Sequence, residues 1–173
     1  MKKLLFTALL VIGSGMVLNA QSIHLGAKGG VNFASITGDD ADFDGRTGYH
    51  IGAVVELGLS EKFAIQPELI YSTQGADESV LDLNIDYLNL PVLAEIKLTE
   101  MFSVQAGPQF GFKVNEGDFE DLESFDLSGA FGLEVNISKF FAQARYNLGF
   151  TDVAEDVDAR NSVFQISIGF WLL

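Results

Sequence analysis

Residues 102–114 alternate without a break. Phe102, Val104, Ala106, Pro108, Phe110, Phe112 and Val114 take the even positions, and Ser103, Gln105, Gly107, Gln109, Gly111 and Lys113 the odd ones. A period of two puts the two sets on opposite faces of a β-strand. The end of the chain does the same, with Phe164, Ile166, Ile168, Phe170 and Leu172 against Gln165, Ser167 and Gly169. So does an early segment, with Ile23, Leu25, Ala27, Val31 and Phe33 against His24, Gly26, Lys28, Gly30 and Asn32. The pattern predicts eight strands, at about 22–36, 46–59, 63–74, 83–98, 102–114, 125–137, 140–150 and 162–173. In the fourth, the apolar phase changes near Asp86-Tyr87, which predicts a bulge or an entering loop there.

The connections are of two kinds. Leu59-Ser60-Glu61-Lys62-Phe63, Leu98-Thr99-Glu100-Met101-Phe102 and Ile137-Ser138-Lys139-Phe140 repeat one theme: an apolar residue, a tight polar turn, then a phenylalanine that opens the next strand. Phe63, Phe102 and Phe140 lie 39 and 38 residues apart, the mark of a repeated β-hairpin. These tight turns alternate with four long connections, at about 37–45, 75–82, 115–124 and 151–161. Such asymmetry predicts an all-β fold, an eight-stranded antiparallel up-and-down transmembrane β-barrel with short periplasmic turns and long external loops. An even strand number then leaves both ends of the barrel domain on the periplasmic side.

The alternative is a lipocalin-like soluble barrel with the same stripes turned inward. Two features favour apolar stripes that face lipid. The polar stripes consist of Gly, Ser, Gln and Asn with few charges, which suits a narrow interior better than a solvated face. The apolar face also carries two rows of aromatic residues. Phe63, Phe102, Phe140 and Phe170 lie near the tight turns, and Phe33, Tyr49, Tyr71, Phe110, Phe125 and Tyr146 toward the long loops. Eight residues separate Phe63 from Tyr71, roughly 20 Å of membrane normal for a tilted strand, close to the apolar band between two girdles.

Composition then sets the compartment. Lys2 and Lys3 precede an apolar run from Leu4 to Leu18, and Leu18-Asn19-Ala20 ends on a small residue, so 1–20 is expected to be a secretory signal peptide. The barrel domain is then 21–173, which is 153 of the 173 residues. The absence of cysteine excludes disulfides, thiol catalysis and a lipid-modified N-terminal cysteine. The net charge is −14, lower by two once Lys2 and Lys3 leave, which argues against nucleic acid as a partner.

Several stretches carry a resemblance: Gly26-Ala27-Lys28-Gly29-Gly30-Val31-Asn32-Phe33, Gly48-Tyr49-His50-Ile51-Gly52, Gln66-Pro67-Glu68-Leu69, Tyr87-Leu88-Asn89-Leu90-Pro91 and Gly107-Pro108. Together they resemble the PorT-type outer-membrane β-barrel family along the whole domain. The resemblance implies an eight-stranded outer-membrane barrel and no particular activity. The chain departs from outer-membrane barrels in general at its end, where Phe170-Trp171 are followed by Leu172-Leu173 instead of closing on an aromatic residue.

Inward parity places Lys28, Glu56, Glu68, Glu95, Glu134 and Arg145 in the lumen at similar depths, with Glu134 near Arg145 and Lys28 near Glu56. Eight strands leave an interior just wide enough for side chains, so these six are expected to form a paired, charged plug. Four carboxylates against two bases predict that at least one glutamate keeps its proton or holds a cation. The loops are strongly acidic, and with the residues beside them carry 18 of the 24 Asp and Glu. Among these, Asp40, Asp42 and Asp44 with Gly45 open a calcium-loop pattern that lacks its twelfth-position glutamate, since Ile51 stands there. No cofactor is expected beyond such a divalent cation. His24 and His50 both face inward near opposite ends of their strands, with no nucleophile evident beside either, so no enzyme is expected.

The function expected is structural or interaction-based: membrane integrity, adhesion or a place in an envelope complex. A low-conductance cation-selective pore is the alternative, and a lipid-modifying enzyme a more remote one. The expected partners are outer-membrane lipid, the barrel-assembly machinery during biogenesis, and an envelope protein, with the barrel itself a monomer.

Overall fold

The computed structural model describes residues 22–38, 41–42, 46–76, 83–114, 122–150 and 160–173. The expected signal peptide, 1–20, lies outside them. Eight long strands run antiparallel: β1 (Ser22–Gly38), β3 (Arg46–Gly58), β4 (Phe63–Ala76), β5 (Leu83–Lys97), β6 (Phe102–Val114), β7 (Leu122–Ile137), β8 (Phe140–Gly149) and β9 (Arg160–Trp171). A two-residue strand, β2 (Ala41–Asp42), extends the end of β1. Each long strand pairs with its neighbours in chain order, and β9 pairs back onto β1 over twelve residues, closing the sheet. The expected strand limits are met within three residues.

The pairing register defines the size of the barrel. Cα partners traced once around it lead from Ile23 through Leu57, Ile65, Ala94, Ala106, Phe131, Tyr146 and Phe164 to Phe33, ten residues further along β1. Eight strands with a shear of ten are tilted by about 40° and enclose a lumen that side chains fill. The bulge expected near Asp86-Tyr87 is absent. Asp86 and Tyr87 pair in unbroken register with Thr73 and Ser72 on one side and with Val114 and Lys113 on the other. The shift of phase is therefore a change of residue type along a regular strand. The described irregularity lies instead between β6 and β7, between Phe112 and Val114.

The apolar stripes point outward. Ile168 is 73% exposed, Leu133 60% and Phe131 56%, whereas Glu95 and Glu134 on the inner face are 0% exposed. This outside-in arrangement is that of a barrel with hydrocarbon around it and rules out stripes turned inward as in a lipocalin. Phe63, Phe102 and Phe140 stand exposed near the tight turns, and Phe33, Tyr49, Tyr146 and Phe164 toward the other end. Neighbouring rings touch within each girdle, Phe140 to Phe170 at 5.3 Å and Phe33 to Phe164 at 6.5 Å between centroids.

The repeated turn theme has a local cause. Ser60 Oγ accepts from the Phe63 amide at 3.1 Å, and Thr99 Oγ1 from the Phe102 amide at 3.0 Å, so the hydroxyl satisfies the turn's own backbone donors. The β7–β8 turn needs only two residues, and Ser138 adopts φ 59°, the left-handed geometry that matches the twist of paired strands.

One apolar ring takes an inward position, on the same face of its strand as Gln143 and Arg145. Phe141 is 2% exposed and points inward beside Trp171, with 4.6 Å between ring centroids. A Cβ on Gly169, its partner across the ladder, would lie 2.1 Å from Phe141 Cζ, so only glycine leaves room for this ring. Gly169→Val should therefore destabilise the refolded barrel by about 1–3 kcal/mol, read as a lower urea midpoint in lipid vesicles. The double variant with Phe141→Ala should recover part of the loss.

Candidate functional site

All six charged residues expected in the lumen are buried there, but in two tiers. The central tier is built on Glu68 of β4. Arg145 of β8 grips it with both terminal nitrogens, Nη1 to Oε2 at 2.6 Å and Nη2 to Oε1 at 2.7 Å. Lys28 of β1 donates to the same Oε2 at 2.8 Å, and Gln66 to Oε1 at 2.9 Å. Lys28 also donates to Gln143 Oε1 at 2.8 Å, and Arg145 Nη2 reaches Gln105 Oε1 at 3.3 Å. A planar guanidinium on a carboxylate is the strongest ion pair a side chain makes, and with one donor set on each oxygen Glu68 is saturated.

The second tier lies nearer the tight turns and holds the other three carboxylates. Glu56 of β3, Glu95 of β5 and Glu134 of β7 bring oxygen atoms within 4.8 Å of one another. Glu134 accepts from Gln105 at 2.8 Å, Gln143 at 2.6 Å and Asn136 at 2.6 Å. Glu56 accepts from Lys97 at 2.7 Å and faces His24 at 3.3 Å. Glu95 has a 3.4 Å contact from Gln105 and the Ser103 hydroxyl beside it, and among the described residues its Oε1 completes no hydrogen bond of good geometry.

The pairings expected from chain proximity are thus replaced. Arg145 spans the lumen to Glu68, 77 positions away, and Lys28 does the same across 40, whereas Glu134 is held by amides and Glu56 by Lys97. The physical reason is the shear: residues flanking one turn climb the tilted wall together, and the partner at equal height sits across the lumen. Lys97, Gln66, Gln105 and Gln143 complete the network and were not among the residues singled out by sequence. Their inward parity was visible, but the amide bridges require the closed barrel.

A third cluster lies toward the long loops. His50 Nε2 accepts from Ser167 Oγ at 2.8 Å, and its Nδ1 donates to Asn32 Oδ1 at 2.6 Å. The sequence places no nucleophile beside either histidine because the neighbour comes from afar: β9 delivers Ser167 to His50, 117 positions away, as one of its hydrogen bonds in the lumen. The three residues are nonetheless buried, Ser167 at 3% and His50 at 2%, and Ser167 lines none of the described cavities. Asn32 also accepts from Gln165 at 3.0 Å and donates to Ser72 at 2.7 Å, so the cluster is one continuous set of bonds between strands. The proposed calcium loop, Asp40, Asp42 and Asp44, lies outside the described residues except for the backbone of Asp42 in β2.

Comparison with known proteins agrees with this geometry. Residues 19–155 match the family model described as outer membrane protein beta-barrel domain. The chain belongs to this family. Among solved structures, Ail, the attachment invasion locus protein of Yersinia pestis, is similar with a TM-score of 0.60 and 17% identity, over 86% of this chain and 98% of that one. Neisserial surface protein A is similar at 0.50 and 8% identity, over 87% and 99%, and a de novo designed transmembrane β-barrel at 0.52 and 8%, over 86% and 95%. No functionally curated protein is detectably similar in sequence. At such identities the solved structures establish the fold of this outer-membrane barrel and leave its activity open.

Arg145→Ala should leave the buried Glu68 carboxylate with Lys28 as its one counter-ion and destabilise the barrel by up to the roughly 3–5 kcal/mol that breaking a buried pair costs. Urea unfolding in vesicles measures this, and an unchanged midpoint would show that the pair does not support the wall.

Proposed function

We propose that this outer-membrane protein is a plugged barrel with a structural or interaction role, displaying acidic loops on one side of the membrane. One observation carries this reading: the Arg145–Glu68–Lys28 knot crosses the lumen from three separated strands, and each of the three residues is at least 97% buried. An aqueous path would need to pass charged groups already saturated by one another. The long connections all leave the same end, and by sequence they carry most of the acidic residues. The likeness to Ail, whose name denotes attachment and invasion, supports adhesion as one form of this role. Membrane integrity and membership of an envelope complex are its other forms. Within the family, the motifs from Gly26 to Gly107-Pro108 support a PorT-type barrel, exported by a signal peptide and inserted with its tight turns and both ends periplasmic.

In planar bilayers the refolded protein should give no discrete conductance steps. Reproducible cation-selective steps would replace this reading with the pore. Removal of the knot by Glu68→Ala with Arg145→Ala should, in a barrel that still folds, raise conductance above wild type. The His50–Ser167 pair favours a second reading, an esterase. Burial opposes it, and a fluorophosphonate probe should leave Ser167 unlabelled in the folded barrel.

A further inference from the structure

We infer that the lumen binds a calcium ion near its tight-turn end, on Glu56, Glu95 and Glu134 with Ser103 beside them. Three buried carboxylates stand together here, and the basic side chains described in contact with them are Lys97, whose side chain is 31% exposed, and His24, 43% exposed. The central tier has no such excess, since Glu68 faces two cations.

Among the described residues, two of the five buried polar atoms without a partner lie at the same place, and the other three, on Gln109 and Asn147, lie toward the long loops. The Ser103 hydroxyl, on a residue only 3% exposed, faces Glu95, but among the described residues neither its Oγ nor the buried Glu95 Oε1 completes a hydrogen bond of good geometry. Ser103 stands directly across the β6–β7 ladder from Glu134, and it lines the same cavity as Glu56. An acceptor oxygen and a hydroxyl, both buried and incompletely bonded beside two further carboxylates, form a donor set made only of oxygen. Hard divalent cations take such sets.

Coordination preference selects among them. The three carboxylate oxygens lie within 4.8 Å of one another, close enough for one ion to draw on all three with small side-chain adjustments. Calcium accepts an irregular shell of six to eight oxygens, whereas magnesium demands near-ideal octahedral geometry that this set does not offer. The N–H donors from Gln105, Gln143 and Asn136 fix the Glu134 carboxylate in place, as ligand-orienting groups do in metal sites. Of the four ligands, Glu56 and Ser103 line a cavity of about 390 Å³ together with Lys97, Asn136 and Trp171, and Glu95 and Glu134 lie behind its wall. The cavity extends to turn residues Glu100 and Ser138, so hydrated calcium can approach from that end and keep water as its remaining ligands.

The chain carries its own probe. Trp171 is the single tryptophan, and its Nε1 donates to Asn136 Oδ1 at 2.9 Å, one hydrogen bond removed from Glu134. Terbium, a luminescent substitute for calcium, should give saturable emission in the folded barrel under excitation selective for tryptophan, and calcium should displace it. Glu95→Gln, which keeps the shape and removes the charge, should weaken both affinities by about tenfold or more. Ser103→Ala should weaken them by about threefold. Asp40→Asn with Asp42→Asn and Asp44→Asn should leave the emission unchanged, which separates the lumen site from the loops. Absence of saturable emission in wild type, or equal affinity in Glu95→Gln, overturns the site. Folding of each variant is checked by the mobility shift between heated and unheated samples on a gel. Should Glu95→Gln fail that check, Glu56→Gln and Ser103→Ala decide, and wild-type affinity in both overturns the site.

Discussion

A ring of eight strands in hydrocarbon has no choice about where its polar groups go. Backbone amides must pair around the ring, because a free donor in lipid costs several kcal/mol, and closure of β9 onto β1 removes the last open edge. Polar side chains must turn inward, and the lumen of a small barrel of this shear has room for side chains and little else. Every charge admitted there needs a partner within reach. The bidentate grip of Arg145 on Glu68, the Lys28 contact on the same oxygen and the amide bridges from Gln66, Gln105 and Gln143 follow from that single constraint.

Three clusters result, stacked along the lumen. Toward the loops, Asn32, His50, Ser72, Gln165 and Ser167 form a neutral set of bonds. At the centre, one carboxylate faces two cations, and positive charge is in excess. Toward the tight turns negative charge accumulates, and there the bonding is incomplete at Glu95 and Ser103. The interior thus carries a gradient of electrostatic character within a wall of uniform construction.

Much of this was legible in the chain. Alternation located each strand to within three residues, and the Phe63, Phe102 and Phe140 spacing gave the hairpin repeat. Inward parity also identified Lys28, Glu56, Glu68, Glu95, Glu134 and Arg145 as lumen residues, and all six are buried. Partner choice was not legible, because equal height across a sheared ring is unrelated to proximity along the chain. Apolar residues on both faces of one strand, as with the inward Val54, Ile70 and Phe141, hid the parity locally. Gly169 showed no sign of its purpose until the Phe141 ring stood opposite it. The phase change at Asp86-Tyr87 misled for the opposite reason, since composition changed where geometry did not.

The Glu68 knot ties β4 to β1 and β8, and so joins parts of the chain that meet only once the first and last strands have come together. A strand inserted one residue out of step would turn Arg145 or Lys28 toward the fatty acyl chains, and a two-residue slip would leave each without its counter-ion. Both faults add a charge penalty to the loss of amide pairs. The charges inside the wall thereby proofread assembly, penalising every misaligned closure and favouring the one in which all of them meet.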